Sequence, residues 1–404
     1  MSKQGSRWRY KSGRNVPRII FTFGVLFTAV AAAALASGCG GSANSGSGGG
    51  GGNSTPAATP SIATTPAQNG AVIVSLSDTT AGATIYFTSD GSEPTTSSQV
   101  YQAPFLVTSS LTVKAMATAP GDTNSGVASR AFAPSIPSGT LVWSDEFANA
   151  GPAAAHPDAN TWGYDTGYQC CGNNEQETYC AWGSSAPPCD ASNPNAYVGT
   201  DGYLHVVARN PSSATYTSGR LKSQGHLSLM YGRIEARMKL PESQGMWPAF
   251  WLLGNNIATV SWPACGEIDV MEHIDGSTPP DYAGGPVAGY DWIAGSVHGG
   301  ASSTAEISGS QHYHATGFSA AGWHTYGMTW SKGEVDFYVD DPASVYARYK
   351  STDAQWSSHS WPFDQGPQFI VLNLAVGGDW PGNVDSTTVF PSEMLVDYVR
   401  IYTN

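Results

Sequence analysis

Hydrophobic and polar positions alternate in twos along most of the chain beyond residue 58. Ile234, Ala236, Met238 and Leu240 alternate with Arg233, Glu235, Arg237 and Lys239, which makes one face buried and the other wet. Val335, Phe337 and Val339 alternate in the same way with Glu334, Asp336 and Tyr338. Leu141, Val142 and Trp143 stand at one end of this region and residues 396–402 at the other, and the two are predicted to pair. No helical period of useful length occurs. Long strands over residues 137–404 therefore predict an all-β fold, two curved and packed sheets of the jelly-roll sandwich type. Residues 59–134 carry shorter strands at 72–76, 83–87 and 111–117. Asn69-Gly70, Asp90-Gly91 and Pro94 supply turns between them. That stretch predicts a separate small antiparallel β-sandwich.

The first 58 residues follow neither pattern. A basic stretch with no acid ends at Arg18, and an apolar run follows from Ile19 to Leu35. The run is nearly long enough to span a bilayer, so a retained anchor helix is one reading. The ending Leu35-Ala36-Ser37-Gly38-Cys39 favours the other, a cleaved export signal over residues 1–39. It resembles a bacterial lipobox, although the usual Leu lies one position nearer the Cys. That resemblance implies lipidation of Cys39 and a secreted or cell-surface protein anchored in the outer membrane or facing the periplasm. Residues 40–58 are almost all Gly, Ser, Asn, Ala and Thr, the composition of a flexible tether.

Charge narrows the partner. Six of the 18 Lys and Arg lie in the first 18 residues, which leaves 12 basic residues against 31 acidic ones. So acidic a remainder has no footprint for nucleic acid and suits a neutral polymer or a cation such as calcium. The chain is expected to be monomeric. It also holds 13 Trp and 19 Tyr, whose rings can fill a β core or stack on pyranose rings.

Beyond Cys39 there are five cysteines, and four of them, Cys170, Cys171, Cys180 and Cys189, fall within twenty residues. In an exported protein they predict a stapled loop. Neighbouring cysteines pair poorly with each other, so Cys170 and Cys171 are expected to bond to Cys180 and Cys189. Cys265 is left as a buried free thiol. Zinc is the alternative, but no His stands at ligand spacing among these cysteines.

The chemistry concentrates in Gly266-Glu267-Ile268-Asp269-Val270-Met271-Glu272, three acids in six residues of otherwise apolar chain. Acids at the centre of a strand are costly, so they need a reason. Glu267 and Asp269 share a face, and Glu272 joins them only if one extra residue is inserted before it by a β-bulge around Val270–Met271. With the bulge, about four strand steps of roughly 3.3 Å separate the two glutamates. Their side chains then close to about 5 Å, the carboxyl separation of a retaining glycosidase. The alternative is a surface strand of acids or a calcium site. The flanking Trp262, Pro263, Cys265, Ile268, Val270 and Met271 read as buried, which argues against it.

Glu267-Ile268-Asp269-Val270-Met271-Glu272 resembles the bulged active-site signature of glycoside hydrolase family 16. Several further segments are similar to its laminarinase-like branch. They are 141–147, Gly172-Asn173-Asn174-Glu175, Tyr216-Thr217-Ser218-Gly219-Arg220, Gly245-Met246-Trp247-Pro248-Ala249-Phe250-Trp251-Leu252 and 373–378. The string 83–95 resembles the β-sandwich module at the C-terminus of chitobiases and hexosaminidases, with a spacer or a sugar-binding role.

The resemblance implies a concave sheet carrying the cleft, with Glu267 as nucleophile, Glu272 as general acid and base, and Asp269 assisting. It places Trp247 and Trp251 along the cleft, with core packing as the alternative. It places Asn174, Glu175 and Arg220 on sugar hydroxyls, with a structural ion pair as the alternative for Arg220. His298 would face the cleft. A structural calcium would use Glu146 and Asp397. The substrate implied is a β-1,3-glucan. Mixed-linkage glucan, algal galactan, transglycosylation and non-catalytic glucan binding are the other readings. Two departures stand out: His273 follows Glu272, and the Cys-rich segment 170–189 has no place in the pattern. His312-Tyr313-His314 could chelate a metal but reads as an exposed loop.

Overall fold

The computed structural model describes residues 54–274 and 292–404; the expected signal and most of the expected tether lie outside them. Ala57, at the end of that tether, is buried and donates its backbone N–H to Thr123 O, so the folded part begins a little earlier than the composition suggests.

The fold is almost wholly β, and its two large sheets pack face to face. One runs, in spatial order, through Ser228–Met230, Gln368–Val376, Met246–Gly254, Glu267–Glu272, Ile293–Gly300 and Glu306–Tyr313. The other centres on Leu204–Ser212, Ser392–Tyr402, Gly232–Lys239, His324–Ser331, Glu334–Val339 and Val345–Lys350. Leu141–Asp145 pairs with Ser392–Tyr402, which joins the two ends of the region as the pattern predicted. Ile234, Ala236 and Met238 meet Phe250, Leu252, Ile268, Leu372 and Leu374 in the core between the sheets.

The small upstream sandwich is there too. Gln99–Val100, Thr84–Thr88, Leu111–Thr118 and Ala128–Phe132 form one sheet. Ser61–Pro66, Val72–Ser77 and Phe105–Val107 form the other. Val74, Phe87, Phe105, Val113 and Phe132 fill the space between them. The second of these sheets does not stop at the module. Phe105–Val107 pairs in parallel with Ser228–Met230 and so continues the first large sheet. Ala71 and Leu106 belong to the core of the large sandwich, and Ser228 Oγ donates to Pro104 O at 2.9 Å.

The disulfides differ from the expectation. Cys170 bonds to Cys171, and Cys180 bonds to Cys189. The expectation rested on the poor pairing of adjacent cysteines. Residues 169–174, which follow the short strand Gly167–Tyr168, form turns with positive φ at Gln169, Gly172, Asn173 and Asn174, and the neighbours meet there. Cys265 is a buried free thiol as expected, and burial pushes its pKa up to about 12, helped by the nearby Glu267 charge.

Candidate active site

The bulge decides which acids face the cleft. Asp269 pairs with Ser296 and Glu272 with Ala294, so three steps on one strand match two on its neighbour. Against Met246–Gly254 the extra residue is Val270, since Phe250 pairs with Met271 and Trp251 with Asp269. Ile268, Val270 and Met271 consequently all reach the core, while Glu267, Asp269 and Glu272 line one open cleft of about 1170 Å³ on the outer face. A regular strand would have turned Glu272 inward, and the cost of burying its charge explains why the apolar pattern selects the bulge.

Each glutamate is held by an indole. Trp262 Nε1–H donates to Glu267 Oε2 at 3.0 Å, and Trp247 Nε1–H donates to Glu272 Oε1 at 2.9 Å. Trp262 is 36% exposed, not buried as the sequence suggested. The buried Asp269 sits between the glutamates, with its Oδ2 3.2 Å from His298 Nε2. The other ring nitrogen of His298 lies 2.6 Å from Glu306 Oε1. Burial disfavours the His298 cation, but Asp269, Glu267 and Glu306 more than offset this and raise its pKa to about 11.

Burial and the Asp269 charge push Glu267 well above the usual carboxylate range, while His298 and Arg220 oppose the shift. The same two causes raise Glu272 to about 8, opposed by His298 and the Trp247 hydrogen bond. Glu272 is therefore an acid that still carries its proton at neutral pH. Trp247→Phe removes a donor to the Glu272 anion, so the pKa should rise. The alkaline limb of kcat/KM, expected near 8 in the wild type, should move up by roughly one pH unit. A pH–rate profile with an unmoved limb would separate that limb from Glu272.

Trp247, Trp251, Glu175, Arg220 and His298 all line this cleft. Arg220 makes the ion pair considered for it while it lines the cleft. Its Nε donates to Asp165 at 3.1 Å, and its guanidinium lies 4.7 Å from the Trp251 ring centre. Trp251 Nε1–H donates to Asn373 Oδ1, Asn373 Nδ2 to Tyr179 OH, and Tyr179 OH to Glu175 Oε2. Glu175 is thus fixed from beneath. The same buried pocket holds Glu177, raised to about 8 by burial and by Glu175.

Asn174 does not line the cleft. Its amide is bound to both oxygens of Asp379, and its neighbour Asn173 takes the cleft position. Glu146 is gripped by Arg400 through both carboxylate oxygens, and Asp397 by Arg237 at 2.6 Å. A calcium ion would compete with these ion pairs, so the two acids as placed do not fit a hard-cation site. Among the described residues, the carboxylate and imidazole atoms that approach at ligand spacing are those of Glu267, Asp269 and His298.

Trp262, Glu306, His312 and Trp380 are among the cleft residues that escaped the sequence reading. Trp262 was assigned to the core. Glu306 and His312 lie in Glu306–Tyr313, where a loop was expected around His312. Trp380 is 39% exposed and stands edge-on to Trp247 at 5.4 Å. Alternation in Glu306, Ser308, Ser310 and His312 was the available signal, obscured by small polar residues on both faces. His273, after Glu272, is buried with Nδ1 2.8 Å from Trp292 O.

An open cleft with paired glutamates, one of them held protonated, and walls of exposed indoles is the equipment of a glycoside hydrolase. The comparisons give the family. Residues 189–400 match the description "Glycosyl hydrolases family 16", and residues 65–129 match "Chitobiase/beta-hexosaminidase C-terminal domain". The chain belongs to glycoside hydrolase family 16. It is 36% identical over 273 residues to a beta-glucanase of Rhodothermus marinus, which covers 65% of this chain and 84% of that one. It is 34% identical to glucan endo-1,3-beta-glucosidase A1 of Niallia circulans, covering 67% of this chain but 38% of the relative. The laminarinase catalytic domain of Thermotoga maritima superposes with a TM-score of 0.54 at 34% identity, over 66% of this chain and 99% of that domain.

Proposed function

We propose that the protein is a retaining, endo-acting hydrolase of β-1,3-linked glucan. The observation that carries the proposal is the bulged strand, which turns Glu267, Asp269 and Glu272 onto one cleft with an indole N–H on each glutamate. The activities printed for the relatives supply the glucan. An open cleft of this size accepts the middle of a chain, which supports endo cleavage.

The reaction is a double displacement. Ionised Glu267 attacks the anomeric carbon while Glu272 gives its proton to the departing glycosidic oxygen. The C–O bond breaks, and a glycosyl ester forms on Glu267. Glu272, now a carboxylate, takes a proton from water, which attacks the same carbon and frees Glu267. Trp262 orients the nucleophile. His298, held between Asp269 and Glu306, and Arg220 oppose the burial and the Asp269 charge that raise Glu267, and so favour the anion that attack requires. Glu272 raised to about 8 is suited to the first, acidic step.

Two disulfides support an oxidising compartment, in keeping with export and anchoring through Cys39 as a monomer. The test uses residues 54–404 with laminarin, mixed-linkage glucan and agarose, and measures reducing ends. Release is expected from laminarin. No release from laminarin would reject the substrate, and an inverted first product by NMR would reject the mechanism.

A further inference from the structure

We propose that the Cys170–Cys171 disulfide is a glycan-contact surface, an apolar platform in the cleft wall that packs against a pyranose ring and is lost on reduction. The proposal rests on the glucan-hydrolase reading. A disulfide stabilises a fold mainly by closing a loop of chain, and one between adjacent residues closes none. Its role must therefore be local. Cys180–Cys189 makes the contrast: it closes a real loop, Cys180 is buried, and neither sulfur lines the cleft. Cys170 is exposed, Cys171 half-buried, and both line the cleft with Trp247, Trp380 and Glu272.

The surroundings suit a sugar face. Asp165, Asn173 and Glu175 line the same cleft with polar groups, and the two sulfurs add a compact, polarisable apolar surface. The platform is also held still. Asp379 N–H donates to Asn173 O at 2.8 Å, and Asn174 Nδ2 donates to both Asp379 oxygens at 2.9 and 3.0 Å. Asp379 precedes Trp380, which packs on Trp247, the donor to Glu272. The disulfide turn and the aromatic wall beside the general acid are thus braced as one unit. A dithiol reductant would give up two electrons and two protons, cleaving the S–S bond to two thiols and becoming a cyclic disulfide itself.

The test compares the full chain with C170A/C171A, C180A/C189A and the quadruple variant on laminarin. In C170A/C171A, KM should rise about threefold to tenfold with kcat within about twofold. Dithiothreitol should raise the KM of C180A/C189A by the same factor, with recovery on reoxidation, and leave the quadruple variant unmoved. If C180A/C189A does not fold, the KM of C170A/C171A against that of the wild type, both measured without reductant and with Cys180–Cys189 intact, carries the test. An unchanged KM in C170A/C171A, or in enzyme shown by thiol titration to have lost the vicinal bond, overturns the proposal. So does a fall in kcat at constant KM, which would mean that the disulfide shapes the catalytic centre rather than meeting sugar. A wild type inactive on laminarin rejects the substrate reading itself and needs no variant to show it.

Discussion

Glu267→Ser is expected to lower kcat on laminarin by a factor on the order of 10⁴ or more while the protein stays folded and still binds glucan. The loss is large because no neighbour can replace the nucleophile. Asp269 is buried and turned to His298, and Glu272 sits beyond the bulge with its carboxyl held by Trp247. Folding should survive, since removing a cleft carboxylate relieves burial and the repulsion from Asp269, which push Glu267 upward. The melting temperature should therefore hold or rise. Glu272→Gln is the necessary comparison. It should be nearly as inactive on laminarin, yet still release a leaving group that needs no proton, such as an activated phenol, and then stall as the ester. Glu267→Ser should release no such burst. If Glu267→Ser kept more than about a hundredth of wild-type turnover, the nucleophile assignment would fail.

The parts of this site that were legible in the sequence are those set by local side-chain period. Ile268, Val270 and Met271 all want the core, and Glu267, Asp269 and Glu272 all avoid it. Only an inserted residue satisfies both, so the bulge follows from six letters. The paired strand ends 141–145 and 392–402 follow from length and alternation. What stayed hidden depends on which distant segments meet. Trp262 reads as apolar flank until the turn after Ile257–Val260 swings its indole onto Glu267. Glu306 becomes a partner of His298 only through the pairing of Ile293–Gly300 with Glu306–Tyr313. The Asn174 amide went to Asp379, more than two hundred residues away. The vicinal disulfide needed positive φ at several successive positions, which no pattern of hydrophobicity encodes.

The join between module and sandwich was equally invisible, and its removal should have the second large effect. Deleting residues 54–134 is expected to lower the melting temperature by roughly 10 °C or more, and to promote aggregation. Phe105–Val107 and Ser228–Met230 are three-residue strands, too short to carry a period, yet their pairing makes one continuous sheet of two domains. Deletion exposes the edge of Ser228–Met230 and uncovers Leu229 and Met230, which are buried in the whole chain. It also removes Leu106 and Ala71 from the large core and the contacts of Thr108 Oγ1 with the carbonyl oxygens of Met230 and Tyr231. Lost burial and hydrogen bonds together amount to roughly 3–6 kcal/mol. None of the cleft residues comes from the module, so turnover per folded molecule, measured well below the transition, should stay within about twofold of the full chain. A fragment that melts within about 2 °C of the full chain would mean the shared sheet contributes little. A fragment that is stable but slow would instead give the module a part in substrate handling. The expected result, unstable but competent, makes the module a structural flank of the catalytic sheet rather than a free spacer, and explains why its strands run into the sandwich instead of hanging from a linker.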